Sequence, residues 1–216
     1  MNYLRTVAEI WSDHYPPGKP RKHSLAERVV MTPIVLARLI SLDQIRVVFG
    51  ENRRHIFMDL YVLVFASLGT ILLFSPSHLG YFGAIFATYR IFDIITYRLY
   101  FLLVKSQAQP WSPDFLRRSL LIVIINFYET VVAYAILYSL VGSIIPAVAS
   151  LSQPFSPSTA LYYSVVTATT LGYGEFIPGN DLSRIIVVMQ LFSTIVFLMF
   201  VIPALMSLFS STQDSP

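Results

Sequence analysis

The sequence predicts an all-α membrane protein with four transmembrane helices and a short re-entrant helix between the third and the fourth. Three observations predict it. The 216 residues are 55% hydrophobic and only 12% charged, which is more apolar surface than one soluble core of that length hides. Four stretches, about 57–74, 79–104, 119–145 and 184–209, are long enough to cross about 30 Å of hydrocarbon. Between the last two, a polar, glycine-spaced run follows about a dozen helix-compatible residues, too few to span.

Residues 1–56 are expected to be a cytoplasmic segment. Its first part, to Lys22, is polar, with no short apolar core before a small-residue cleavage site, so no signal peptide is expected. Within 24–50, apolar positions recur at helical spacing, and Glu27, Arg28, Arg38, Asp43 and Arg46 share one side of the wheel. Charge and Pro33 interrupt this run too often for it to span. An interfacial helix, on the inner membrane surface or against a neighbouring subunit, is expected; a packed cytosolic helix is the alternative.

The peripheral pair of spans covers 57–104, and its orientation follows from the cations. Nine of the fifteen Lys and Arg precede it, and Lys105, Arg117 and Arg118 lie in the 105–118 loop, so both segments are expected in the cytoplasm. The outer connections are poor in cations: Ser75–His78 has none, and 146–183 none before Arg184. Both termini are then cytoplasmic. Pro110 and Pro113 suit the 105–118 loop, where the boundary with a C-terminal unit, 119–209, is expected. A short tail, 210–216, leaves no C-terminal ligand-sensing domain expected. The net charge of +3 fits topology and anionic lipid better than nucleic acid.

Pro157 precedes Ser158, a candidate cap for a helix continuing to about Thr169. The glycine-rich backbone after it is tolerated at membrane depth only if it is buried in protein or lines water. The segment therefore reads as a re-entrant pore loop. Its residues Thr169-Thr170-Leu171-Gly172-Tyr173-Gly174 closely resemble the potassium-channel signature, Thr-Val-Gly-Tyr-Gly. Upstream, Ala160 to Thr167 is similar to that family's pore helix with its aromatic pair, Tyr162 and Tyr163. Downstream, Glu175 and Pro178 stand where the family commonly has an acid and a proline. The resemblance covers roughly 119–209.

The resemblance implies a subunit of a homotetramer in the plasma membrane, passing potassium through a ring of backbone carbonyls. A dehydrated cation needs from the protein the oxygen ligands that it loses from water. The ligand run carried over is Thr170, Leu171, Gly172 and Tyr173, closed by Gly174; the two glycines permit angles that put successive carbonyls on one side. Tyr173 is expected to point away from the axis and brace against the aromatic pair, with Thr169 packed behind. The pore helix would add the negative end of its dipole, about half a charge, to a cation in the cavity.

The sequence departs from the family in three places around this run. Leu171 replaces the usual valine. Glu175 replaces the common aspartate, and its extra methylene is expected to weaken any bond to Tyr162 or Tyr163. Val166 stands where some members have a glutamate, so that brace is missing. In the fourth span no glycine occurs after Asp181; Pro203 is a candidate kink or gate, and Ser193 and Thr194 either line the cavity or bond their own backbone.

The second span contains Arg90, Asp93 and Arg98, and the third Glu129, all where an unpaired charge is costly. Counting about 1.5 Å per residue from the inner ends puts Asp93 and Glu129 at similar depth, so a neutral four-residue cluster is expected. A voltage sensor normally shows arginine at every third position, and these two are eight apart. His14, His23, His55 and His78 have no ligand spacing, so no transition-metal site is expected. No phosphate loop or nucleophile-with-base arrangement points to an enzyme. No cofactor or small-molecule substrate is expected, potassium being the permeant ion; membrane lipid and further copies of the chain are the expected partners. Two rivals are a non-conducting regulatory subunit that keeps the pore fold, against which the intact Thr170–Gly174 run argues, and a related cation transporter, which usually has several pore loops.

Overall fold

The computed structural model describes residues 3–11, 24–39, 41, 54–75, 80–105, 113–140, 144–147 and 156–213, with side chains for most of them. The chain divides into two compact units, 1–58 with 95–110, and 59–94 with 111–216.

In the first unit, helix α1 (Tyr3–Trp11) and helix α2 (Leu25–Ala37) pack together. Ser24 starts α2 with a capping box: its Oγ accepts from Glu27 N at 3.2 Å, while Ser24 N donates to Glu27 Oε2 at 2.8 Å. Trp11 Nε1 donates to Thr32 Oγ1 at 2.8 Å. Ile10, Met31, Val35 and Tyr100 form the unit's core. Sequence reading gave α1 no place, and the amphipathic run stops being helical at Ala37; Asp43 and Arg46 lie outside the described residues. Pro33 is accommodated on an exposed face of α2, where the carbonyl left over by its missing N–H is not sealed from solvent. Arg38, expected on a polar face, is instead buried, with its guanidinium 5.1 Å from the centre of the Tyr97 ring.

The second unit holds most of helix α3 (Arg54–Leu73) and of helix α4 (Gly80–Tyr100), together with helix α5 (Pro113–Leu140), helix α6 (Pro157–Ala168) and helix α7 (Asp181–Gln213). After α4 the chain makes a π-helical turn, Phe101–Lys105. Among the described residues, Arg118–Leu140 and Asp181–Met199 are long and apolar enough to cross a membrane, and Asp59–Leu73 is a shorter apolar helix. The units do not part at the expected 105–118 loop, because residues 59–94 group with α5. Gly83 shows how closely: a Cβ there would meet Leu140 at 3.3 Å and Ile136 at 3.4 Å.

The third apolar stretch, expected to stay helical to residue 145, ends as helix at Leu140. Ile144–Pro146 is a strand, β1, paired antiparallel with β2 (Phe176–Pro178), Ile145 opposite Ile177. A short apolar run containing two isoleucines suits strand as well as helix, and length alone cannot separate them. Helix α7 begins before the expected residue 184, because Asn180 caps it: Ser183 N donates to Asn180 Oδ1 at 2.8 Å.

Candidate functional site

Helix α6 is fixed at both ends by its own sequence. Its cap is Ser156, two residues before the expected Ser158; Ser156 Oγ accepts from Thr159 N at 3.2 Å and Pro157 takes the first helical position, where its fixed φ fits and no N–H is missed. At the other end, Thr169 N donates to Val165 O at 2.9 Å, Thr170 N to Thr167 O at 3.1 Å and Leu171 N to Val166 O at 3.1 Å. Val166 thus contributes a carbonyl to the site, and Thr169 Oγ1 turns back to donate to Val165 O at 2.7 Å.

Beyond this anchor the backbone alternates. φ is +57° at Thr170, +61° at Gly172 and +80° at Gly174, while Leu171 and Tyr173 stay negative. Sign alternation of this kind turns successive carbonyls toward one side, instead of the two sides of a normal strand. The glycines adopt these angles without penalty. Thr170 does not: a β-branched residue in the left-handed region stores about 1–3 kcal/mol of strain. Sequence reasoning named Thr170 as a ligand but not its positive φ, which a threonine does not announce.

The aromatic pair divides its work. Tyr162 lies against the run, stacked on Tyr173 with centroids 6.5 Å apart and planes 2° from parallel, and edge-on to Phe176 at 6.4 Å. Its hydroxyl donates to Glu175 Oε2 at 3.1 Å, so the longer acid does reach the tyrosine. Tyr163 instead turns away, edge-on to Tyr138 at 4.9 Å. A cleft of about 390 Å³ behind the run is lined by Tyr162, Val166, Thr167, Tyr173 and Leu191, among others. Strand pairing secures the far end, where Ala147 N donates to Glu175 O at 2.8 Å.

Ser193 and Thr194 both bond their own backbone: Ser193 Oγ donates to Met189 O at 2.8 Å and Thr194 Oγ1 to Gln190 O at 3.1 Å. Ser193 is fully buried and shares a 2.8 Å hydrogen bond with Tyr134 of α5. The α7 backbone is helical through Pro203, whose side chain lies outside the described residues.

The expected charge cluster contains three of its four members. Arg90 Nη1 lies 3.0 Å from Asp93 Oδ2 and Arg90 Nη2 2.6 Å from Glu129 Oε2, all three residues buried. Tyr61, which sequence reading did not include, accepts from Arg90 Nη1 at 2.9 Å and donates to Asp93 Oδ2 at 3.2 Å. The guanidinium also sits 4.5 Å from the centre of the Phe65 ring. Arg98 is buried and is grouped with the first unit.

A second buried polar set escaped the sequence reading. Tyr138 Oη donates to Gln190 Oε1 at 2.7 Å, Gln190 Nε2 donates to both Ser164 O and Ser164 Oγ at 2.8 Å, and Ser164 Oγ donates to Val131 O at 2.7 Å. A glutamine in the middle of an apolar helix was the available signal. Among the described residues no group of His, Cys, Asp and Glu is arranged to hold a metal ion.

Residues 121–211 match the family described as ion channel. No curated protein and no solved structure matches the chain. The matched residues take in most of α5, α6, the alternating run and most of α7. Through this segment, 91 of the 216 residues, the chain is similar to ion channels.

Proposed function

We propose that four copies of this chain form a potassium-selective channel, with Thr170, Leu171, Gly172 and Tyr173 supplying the ion's oxygen ligands. The observation that carries this reading is the alternation of φ from Thr170 to Gly174, which suits a column of inward carbonyls and little else. One such run per chain supplies a quarter of a ring, and closed rotational symmetry is the simplest way to complete it. Large apolar side chains exposed on the single chain support the same assembly: Leu171 is 58% and Tyr173 64% exposed, and Val188, Phe192, Ile195 and Met199 line one side of α7.

The helices α3 and α4 cross the membrane beside this pore unit in this reading, with both termini in the cytoplasm of the cell and lipid around them. Charge inside α4 is compatible with that, since Arg90 is held between two carboxylates and two aromatic rings. Residues 1–56 then form the cytoplasmic segment, and 119–209 the pore unit.

The test is flux through purified protein in liposomes, potassium against sodium under matched gradients, with Gly172→Ala as control. Within the single chain nothing lies within 4 Å of a Cβ added at Gly172, whose φ is +61°, so the substitution acts on the chain's own fold through φ. Potassium flux that far exceeds sodium and vanishes in the variant is expected, with tetramers still forming. Equal flux of the two ions, or unchanged potassium flux in the variant, overturns the reading.

A further inference from the structure

The hydrogen-bond chain through Gln190 joins three helices at one level. Every polar group of the Gln190 amide is used: Oε1 accepts from Tyr138 of α5, and Nε2 donates twice to Ser164 of α6. Tyr138, Ser164 and Gln190 are each at most 1% exposed, so no water competes for these bonds, and a satisfied buried network of this kind fixes one arrangement of its members. Ser164 is also anchored to α5, through Val131 O.

What Gln190 grips is next to the filter's footing. The two residues after Ser164, Val165 and Val166, are those whose carbonyls hold Thr169 N and Leu171 N. A displacement of α7 at Gln190 therefore reaches the backbone of Thr170 and Leu171 through one turn of helix. Helix α7 is continuous from Asp181 to Gln213 and contains no glycine, so a tilt of the part between Pro203 and Gln190 is passed on to Gln190.

We propose that Gln190 is a positioning residue for ion selection: through Ser164 it sets the conformation of the Thr170–Gly174 run and couples the tilt of the inner helix to conduction at the filter. This inference rests on the potassium-channel reading. Gln190 touches no ion; it acts on the carbonyl ligands by holding the helix from which they hang.

The experiment measures the potassium-to-sodium flux ratio in liposomes loaded with equal amounts of tetramer. The unaltered protein, Gln190→Leu, Ser164→Ala and the double variant are compared. Gln190→Leu is expected to lower the ratio at least tenfold, Ser164→Ala to lower it less, and the double variant to lose no more than Gln190→Leu, as residues acting through one bond do. If Gln190→Leu does not assemble, Tyr138→Phe removes only the hydroxyl at the far end of the chain, and a ratio lowered about threefold is the result expected there. Total flux that falls at an unchanged ratio marks a merely structural role and overturns the proposal, as does a Tyr138→Phe ratio equal to that of the unaltered protein. An unaltered protein that passes sodium as freely as potassium overturns the underlying channel reading instead, so the two failures are distinguishable.

Discussion

Replacing Arg90 by methionine removes the cation that, among the described residues, bridges two buried carboxylates, Asp93 and Glu129. Breaking a buried ion pair from one side costs about 3–5 kcal/mol, because a charge is left without compensation. Glu129→Gln, by contrast, keeps an acceptor for Arg90 Nη2 and turns a charge-assisted bond into a neutral one, a loss of about 1–2 kcal/mol. For a chain of this size about 1 kcal/mol shifts the unfolding midpoint by roughly 2–4 °C, so Arg90→Met is expected to unfold about 6–20 °C lower and Glu129→Gln about 2–8 °C lower. Thermal unfolding of the protein in detergent, followed by intrinsic fluorescence, measures both. The same magnitude decides whether Arg90 senses voltage. Moving one charge across the whole membrane field yields about 2.3 kcal/mol per 100 mV, so displacing Arg90 from a clamp of about 3–5 kcal/mol needs roughly 130–220 mV. Resting potentials do not reach that, and flux through the unaltered protein is expected to show no voltage dependence that Arg90 substitution removes. An Arg90→Met midpoint within about 2 °C of the unaltered protein, a cost under about 1 kcal/mol, refutes the clamp.

Tyr162→Phe deletes the hydroxyl that donates to Glu175, a loss of about 0.5–1.5 kcal/mol at the outer end of the run; potassium flux in liposomes is expected to decline faster with time than in the unaltered protein. Gly83→Val places methyl groups where a Cβ already meets Leu140 and Ile136 closer than ordinary contact, an overpacking cost of about 1–3 kcal/mol; a lowered unfolding midpoint is the check. Ser24→Ala removes the capping box of α2 and costs about 1 kcal/mol; faster amide exchange confined to residues 25–28 is expected, with flux unchanged.

The parts of this protein legible in its sequence are those that local pattern specifies. Length and hydropathy located α3, α4 and α7 to within a few residues and α5 to within about six, and glycine spacing picked out the run after α6. Counting depth along two helices also put Asp93 and Glu129 side by side, since helical rise is constant. What escaped depends on partners chosen in three dimensions. Ser156 and Ser158 are equally good caps by residue type, and the preference for Ser156 follows from Pro157 occupying the first turn. Ile144 and Ile145 are helix-compatible until β2 offers them a partner. Arg38 reads as a solvated charge, but the Tyr97 ring buries it. Gln190 reads as one polar residue in an apolar span, and only the arrival of Ser164 and Tyr138 from two other helices makes it a junction.

That junction also bears on where the inner helix pivots. Helix α7 has 33 residues, about 50 Å of helix against about 30 Å of hydrocarbon, and its polar side chains at 190 and 193 are spent on bonds to α6 and α5. Those bonds sit about 14–18 Å from the outer end, which leaves about 30 Å of helix inward of Ser193 as a lever. A tilt of about 10° around such a pivot moves the inner end by about 5 Å and the bonded level very little. A glycine hinge would let the lever swing without straining the pivot; without one, bending stress is delivered to Gln190 and Ser193 unless Pro203 relieves it first. The inner end and the filter are therefore expected to respond together in this chain, the large motion below and the small one above being two ends of the same rigid element.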